Sequence, residues 1–250
     1  MTARLAHILR HPIKAIGVEE IESASLAKGR ALAGDRRWAV AHVAAKFSGQ
    51  PGAWQPKMNF LRGVAGPELM AISAACNGEQ VTLRHPRAET ITLDMQSEAD
   101  RNRLVAWLEP LWPDDRPAPS HVVEVPGQAM TDWADPFLSL LSLSSLAELS
   151  HHTGQALHVN RWRANLWVDG WAPLHERALI GSHIRIGGAT FEIVQPITRC
   201  RATTVNPATG ANDCDTLAAL ESLWGHKDFG VYARVLSGGE IARGDAIEVL

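Results

Sequence analysis

Residues 196–210 read Pro-Ile-Thr-Arg-Cys-Arg-Ala-Thr-Thr-Val-Asn-Pro-Ala-Thr-Gly, with one thiol, Cys200, between Arg199 and Arg201. Cations beside a thiol favour the thiolate. That is the form that attacks electrophiles and binds soft metals. The apolar run from Phe191 to Val194 predicts a buried strand just upstream. Downstream, Asn206-Pro207-Ala208-Thr209-Gly210 predicts a turn, with Pro207 fixing φ and Gly210 free to take a positive one. The thiol then stands at the mouth of a strand. The competing reading is packing, since free cysteine is among the most buried residue types; two adjacent arginines argue against a dry core.

Other cations fall where strands and loops meet. Lys14 follows His11-Pro12-Ile13, Arg36 and Arg37 open a strand at Trp38, and Arg161 and Arg163 flank Trp162 ahead of Asn165. Guanidinium groups offer planar, multidentate donors to phosphate, and lysine a point charge. An anionic ligand with many oxygens beside a thiolate needs such donors; solvated surface charge is the alternative and the commoner fate of an arginine. The sequence holds no P-loop, no G-x-S-x-G elbow and no dinucleotide fingerprint. Three cysteines, Cys76, Cys200 and Cys214, without a C-x-x-C pair exclude a structural zinc site of the usual spacing and a four-thiolate cluster within one chain. His151-His152 reads as a helix end, and Asp213 and Asp215 read as helix-capping groups before they read as proton donors.

These groups need elements to hold them. The chain has 250 residues, 46% apolar and 20% charged, with a net charge of −3, which suits one large or two modest globular domains and gives no sign of a nucleic-acid or anionic-membrane partner. Met1 to Arg10 lacks an apolar core and reads as a strand rather than a signal peptide, and the uncharged run from Pro136 to Ala147 is far short of the ~20 residues that span a bilayer. The cytoplasm is the expected compartment. Residues 3–10, 36–43, 80–84, 90–94, 120–125, 183–186, 190–195, 231–236 and 246–249 predict strands, and 80–84 with 90–94 a hairpin. Helices are expected from Ser97 to Leu108, from a capping box at Ser145-Leu146-Ala147-Glu148 to near Gly154, and from Asp215 to Trp224 before Gly225. Gly187-Gly188 and Gly238-Gly239 read as isolated turns. Regular βαβ alternation is absent, so the expectation is a mainly β (α+β), barrel-like fold with a few short helices. The proline-rich stretch 110–119 is the linker candidate, dividing residues 1–112 from 113–250.

The segment from Arg199 to Gly210 resembles the signature of MOSC domains, most closely those of the mitochondrial amidoxime-reducing component and its bacterial relatives. Asp228-Phe229-Gly230-Val231-Tyr232 and Arg243-Gly244-Asp245 support the likeness, which extends over nearly the whole chain. The resemblance implies a β-barrel-like domain followed by a MOSC β-barrel. It implies a molybdenum cofactor (Mo-molybdopterin) and an oxidoreductase acting on N-hydroxylated or N-oxygenated small molecules, with electrons from an external ferredoxin-like or flavin reductase partner. Carried over by position, Cys200 ligates the metal and is the catalytic residue. Lys14 and Arg36 hold phosphate or pterin, Arg163 and Asn165 match an Arg-Pro-Asn element, Thr198 lies at the cofactor edge, and Arg199 adjoins the ligand. The alternative implied function is a sulfur carrier, with a persulfide on Cys200. Five residues depart from the family pattern: Ala15 and Ala134-Asp135, which stand where relatives offer hydroxyl groups, Ala164 and Asn206.

Overall fold

The computed structural model describes residues 3–250. Its largest element is an eight-stranded sheet in the order Ile247–Val249, His183–Ile186, Ala189–Thr198, Asp228–Ser237, Leu138–Ser142, Leu166–Asp169, Arg4–Arg10, Glu19–Ile21. All neighbours are antiparallel except Leu138–Ser142 and Leu166–Asp169, which run parallel, Leu140 opposite Leu166. The sheet closes on itself. Leu5 N–H donates to the Asp245 carbonyl at 2.9 Å and Gly244 N–H to that of Leu5 at 2.7 Å, tying the first strand to the last. Alternate residues fill the interior: Leu5, Ile8, Leu140, Val168, Ile186, Phe191, Ile193 and Val231 are buried in one cluster. This is the inward-facing periodicity of a small barrel whose bore side chains fill.

The expected strands and the 80–84/90–94 hairpin are present, the latter as Gln80–His85 and Ala88–Asp94, with Ser73–Asn77 beside it. The short strands Glu19–Ile21, Ser23–Leu26, Ser73–Asn77, Leu138–Ser142, Leu166–Asp169 and Gly239–Ala242 were not expected. Leu138–Ser142 is buried at every residue, so it shows no alternation that period-two reading could catch. Ser97 caps Glu98–Leu108 by accepting from Asp100 N–H, and Asp215 caps Thr216–Trp224 by accepting from Ala218 N–H; Gly225 ends the latter in a left-handed cap. The capping-box expectation fails. The helix is Leu143–Thr153, so Ser145 lies inside it, accepting from Leu174 N–H and donating to the buried Glu176. The two glycine pairs are not isolated either: Gly188 and Gly239 pack backbone on backbone, and Gly188 N–H donates to the Glu240 carbonyl.

A second core lies in the first half of the chain, built on Ile13, Ile16, Trp38, Val40, Leu61, Leu83, Leu104 and Trp112. Strands cross between the halves. Arg4–Arg10 belongs to the large sheet, and Trp38–His42 pairs with Pro119–Glu124. The 110–119 stretch is packed rather than free, with Leu111 and Trp112 buried and the Trp112 indole donating to the Pro117 carbonyl. Among the described residues no helix is long and apolar enough to cross a membrane.

Gly230 follows Phe229 in a strand at φ +79°, where a Cβ would overlap the Leu141 side chain and stand 2.9 Å from the Leu140 carbonyl. Gly230→Ala should therefore cost about 3 kcal/mol, left-handed strain plus overpacking. Gly78→Ala, at φ +61° in open space, should cost about 1 kcal/mol. Urea unfolding of the two variants measures the difference.

Candidate functional site

One cavity of about 240 Å³ is lined by Lys14, Arg36, Arg163, Asn165, Thr198, Arg199 and Cys200 together. The seven positions come from four separate stretches of sequence, and the fold brings them to one place. Cys200 ends the Ala189–Thr198 strand's exit and begins the turn Arg201–Thr204, where its carbonyl accepts from Thr203 N–H at 3.1 Å and from the Thr203 hydroxyl at 3.0 Å. It is the one exposed thiol of the three. Burial, with Glu19, pushes the Cys76 thiol up to about 12, and burial also raises that of Cys214. The turn beyond forms as expected: Gly210, at φ +75°, donates to the Asn206 carbonyl at 2.9 Å.

The cations do not share one role. Arg199 turns away from the thiol. Its Nε and Nη2 donate to the Phe229 carbonyl at 2.8 and 2.6 Å and its Nη1 to the Trp162 carbonyl at 3.0 Å, so it fastens the cysteine segment to two neighbouring elements. Burial lowers its pKa to about 10. Asn165 is likewise engaged with the protein, accepting from Ser139 N–H and its hydroxyl and donating to the Leu9 carbonyl, which joins three strands. The Thr198 hydroxyl donates to Asp228 at 2.6 Å. Lys14 is buried, with Nζ 2.5 Å from Asp132 and 3.0 Å from the Met130 carbonyl. Burial lowers its pKa, opposed by Asp132. Asp132 also meets Lys57 at 3.3 Å; burial works against its charge, but the two lysines hold it down at about 2.

Behind the cavity lies a pair whose role sequence reading missed, although His11 and Asp35 adjoin residues it singled out. Both are buried. Asp35 accepts from His11 N–H at 2.7 Å, from His11 Nδ1 at 3.2 Å and from Arg36 Nη1. A carboxylate only accepts, so the imidazole proton sits on Nδ1 and Nε2 presents a lone pair; Nε2 has no partner. Arg36 Nη2 donates to the Arg163 carbonyl at 2.8 Å. Arg163 itself carries the sharpest signal. Its Nη2 is buried and has no hydrogen-bond partner. Burial and the neighbouring Arg36 lower its pKa to about 9. A buried guanidinium nitrogen without an acceptor is costly.

Backbone strain marks the same place. Among the described residues four non-glycine positions have positive φ, and three of them, Ala15 at 63°, Arg36 at 48° and Arg163 at 48°, line the cavity. Such conformations cost about 1–3 kcal/mol each and cluster at binding sites. Cross-links hold them: Arg36 N–H to the His11 carbonyl at 2.6 Å, Lys14 N–H to that of Trp38 at 2.8 Å, and Met130 N–H to that of Arg36 at 2.7 Å. Sequence reading also missed Lys57, Arg62, Gly63, Asp132 and Trp133, which line the same wall. Their segments carry no motif. Among the described residues no three His, Cys, Asp or Glu side chains gather as metal ligands.

Comparison with known proteins adds family information. Residues 2–111 match the MOSC N-terminal beta barrel domain, and residues 132–248 match the MOSC domain. The chain is similar to proteins named molybdenum cofactor sulfurase. That of Drosophila grimshawi is 33% identical over 98 residues, covering 37% of this chain and 12% of that protein; that of Drosophila willistoni is 32% identical over 126 residues, 50% of this chain and 15% of that one. The chain thus spans only about an eighth of the length of the curated relatives it matches. Among solved structures, the YUAD protein of Bacillus subtilis aligns over 100% of this chain and 96% of its own at 15% identity and a TM-score of 0.48. YiiM of Escherichia coli aligns over 45% and 53% at 21% identity and 0.34.

Burial, together with Arg163 and Arg36, lowers the His11 pKa from its ordinary value of 6.5 to about 3. The folded protein keeps it neutral while the unfolded chain takes up a proton below 6.5. Its contribution is therefore intact above pH 6.5 and falls away with acid, by up to about 1.4 kcal/mol per pH unit. His85 and His158, also lowered by burial, add to the same limb. Asp35, held below the ordinary carboxylate range by Arg36 and His11 despite its burial, adds to it only below about pH 4. His11→Asn keeps a donor for Asp35 and cannot titrate. Urea midpoints between pH 6.5 and 4.5 should fall less steeply in that variant than in the parent.

Proposed function

The chain belongs to the MOSC domain proteins, carrying the MOSC N-terminal β-barrel domain ahead of the MOSC domain, and on that footing we propose that it is a molybdenum-cofactor oxidoreductase reducing N-hydroxylated or other N-oxygenated compounds. One observation carries the reading: an exposed thiol and a buried guanidinium nitrogen without an acceptor line the same cavity. The residues fit such a group. Cys200 offers one soft ligand, and no protein cluster stands ready to complete a metal's coordination among the described residues. A metal whose remaining ligands sit on an organic scaffold would fit a cavity with this single thiol. Arg163, whose Nη2 has no acceptor, and Lys14, which otherwise meets Asp132, would hold an anionic end of such a scaffold.

When bound, the cofactor supplies the two-electron chemistry that the side chains lack. The chain's own part is positional. Cys200 would hold the metal and Arg163, Arg36 and Lys14 the anionic end, while Arg199 and Asn165 fix the backbone on which these sit. Hydroxyl groups absent at Ala15 and Ala134-Asp135 leave that task to charge and to backbone N–H groups. Electrons would reach the site from a reductase or ferredoxin-like donor, since residues 1–250 hold neither a dinucleotide fingerprint nor a four-cysteine set.

A second reading has its own support. Likeness to proteins named molybdenum cofactor sulfurase and the exposure of Cys200 favour carriage of sulfur as a persulfide on that thiol. Reduction of an arylamidoxime by purified protein with a chemical reductant decides between them. The oxidoreductase reading expects turnover that Cys200→Ser abolishes, because a hydroxyl is a harder and far less acidic ligand. No turnover by the parent, with a persulfide detected on Cys200, favours the carrier. Full activity in the serine variant contradicts the role given to Cys200.

A further inference from the structure

The cavity's cations are almost all engaged with the protein. Lys14 and Lys57 share Asp132, Arg36 holds Asp35 and the Arg163 carbonyl, Arg161 holds the Thr203 carbonyl and Asp213, and Arg199 is spent on carbonyls. Two guanidinium groups remain. Arg163 belongs with the strained inner wall. Arg62 does not: it comes from the loop after Leu61, in the first half of the chain, and it is half-buried. Among the described residues no carboxylate or carbonyl pairs with its side chain.

Its backbone is fixed beside the cysteine. The Arg62 carbonyl accepts from Ala65 and Gly66 N–H, both at 2.9 Å. The next residue is Gly63, where a Cβ would lie 2.5 Å from Met70 Sδ and 3.6 Å from the Ala202 Cβ. A side chain there would press on Met70, and the loop already rests against the turn Arg201–Thr204 that begins at Cys200. Arg62 thereby lies in a loop that packs beside the cysteine turn and lines the same cavity as the thiol. Two apolar surfaces line the same cavity, Val64 at 38% and Trp133 at 49% exposed. A cation with no partner in a cavity that also exposes apolar surface is the complement of an amphipathic anion.

We propose that Arg62 is a specificity-determining residue that pairs with a carboxylate or phosphate group on the substrate, so that the preferred substrates are anionic with an apolar, planar body. Asp135, the cavity's carboxylate with no basic partner among the described residues, sits on the separate 131–135 loop. An anion gains at Arg62 and loses at Asp135, which orients the substrate as well as attracting it. The inference rests on the reductase reading given above, since it names the substrates of that same site.

The test compares three arylamidoximes, unsubstituted, para-carboxylate and para-phosphonate, on cofactor-loaded parent and Arg62→Gln. Removing a charge-assisted pair should lower the anionic-to-neutral ratio of kcat/KM tenfold or more, mostly through KM. The anion whose ratio falls further identifies the carboxylate or the phosphate class. An unchanged ratio for both anions overturns the proposal. Calorimetric titration of the para-carboxylate compound into both proteins separates this from the reductase reading. If no compound is reduced by the parent but its binding weakens tenfold in Arg62→Gln, the reductase reading fails and Arg62 still binds the anion. If binding is equal in the two proteins, the role of Arg62 is excluded.

Discussion

Lys14, Arg36 and Arg163 are held close together, largely out of water, with only Asp35 and Asp132 to balance them. Charges taken from water repel strongly at such range and cost several kcal/mol each unless paired. The fold meets that cost locally rather than avoiding it. Asp35 is shielded completely and grips both Arg36 and His11, while Asp132 reaches in from a surface loop to meet Lys14. Arg163 is left with a nitrogen that has no acceptor. A globular protein with no use for an anion there would gain stability by replacing that arginine. The presence of that group, on a backbone itself at φ 48°, is what gives the cavity its chemical meaning.

The barrel makes this arrangement possible. Antiparallel pairing sets the end of the first strand against Leu166–Asp169, and so brings residues 11–14 beside 161–165. The Asp228–Ser237 strand lies between the cysteine strand and Leu138–Ser142, and it presents Tyr232 and the Phe229 carbonyl on which Arg199 is anchored. Aromatic packing stiffens that anchor: Phe229 lies 4.2 Å from Trp162 and 6.0 Å from Trp224, centroid to centroid. The second core carries the opposite wall, with Gly63 allowing its loop to approach the cysteine turn. Neither half of the chain encloses the cavity alone.

Much of this was legible before any coordinates. The arginine-flanked cysteine, the punctuation after it and the strand–loop positions of Lys14, Arg36 and Arg163 depend on local residue types, which a sequence displays directly. The roles of these groups were less legible, because they depend on partners distant in sequence, about 30 residues away for Arg199 and more than a hundred for Lys14 and Arg36. Nothing near Arg199 says that its donors go to Phe229 and Trp162 rather than to a ligand, and nothing near Lys14 says that Asp132 meets it. Ser145-Leu146-Ala147-Glu148 misled because a buried serine that serves Glu176 has the same spacing as a helix cap. Leu138–Ser142 escaped because a strand buried on both faces loses its alternation.

The account's central claim is that the cavity receives a metal on an anionic organic scaffold through Cys200 and Arg163. Molybdenum and pterin content, measured together on protein purified from cells that make the cofactor, tests it most directly. The account predicts close to one of each per chain in the parent and a loss of about ten- to a hundredfold in retention for Arg163→Ala, the effect of one charge-assisted contact. Parent protein that carries neither metal nor pterin, or an alanine variant that retains both in full, would contradict it.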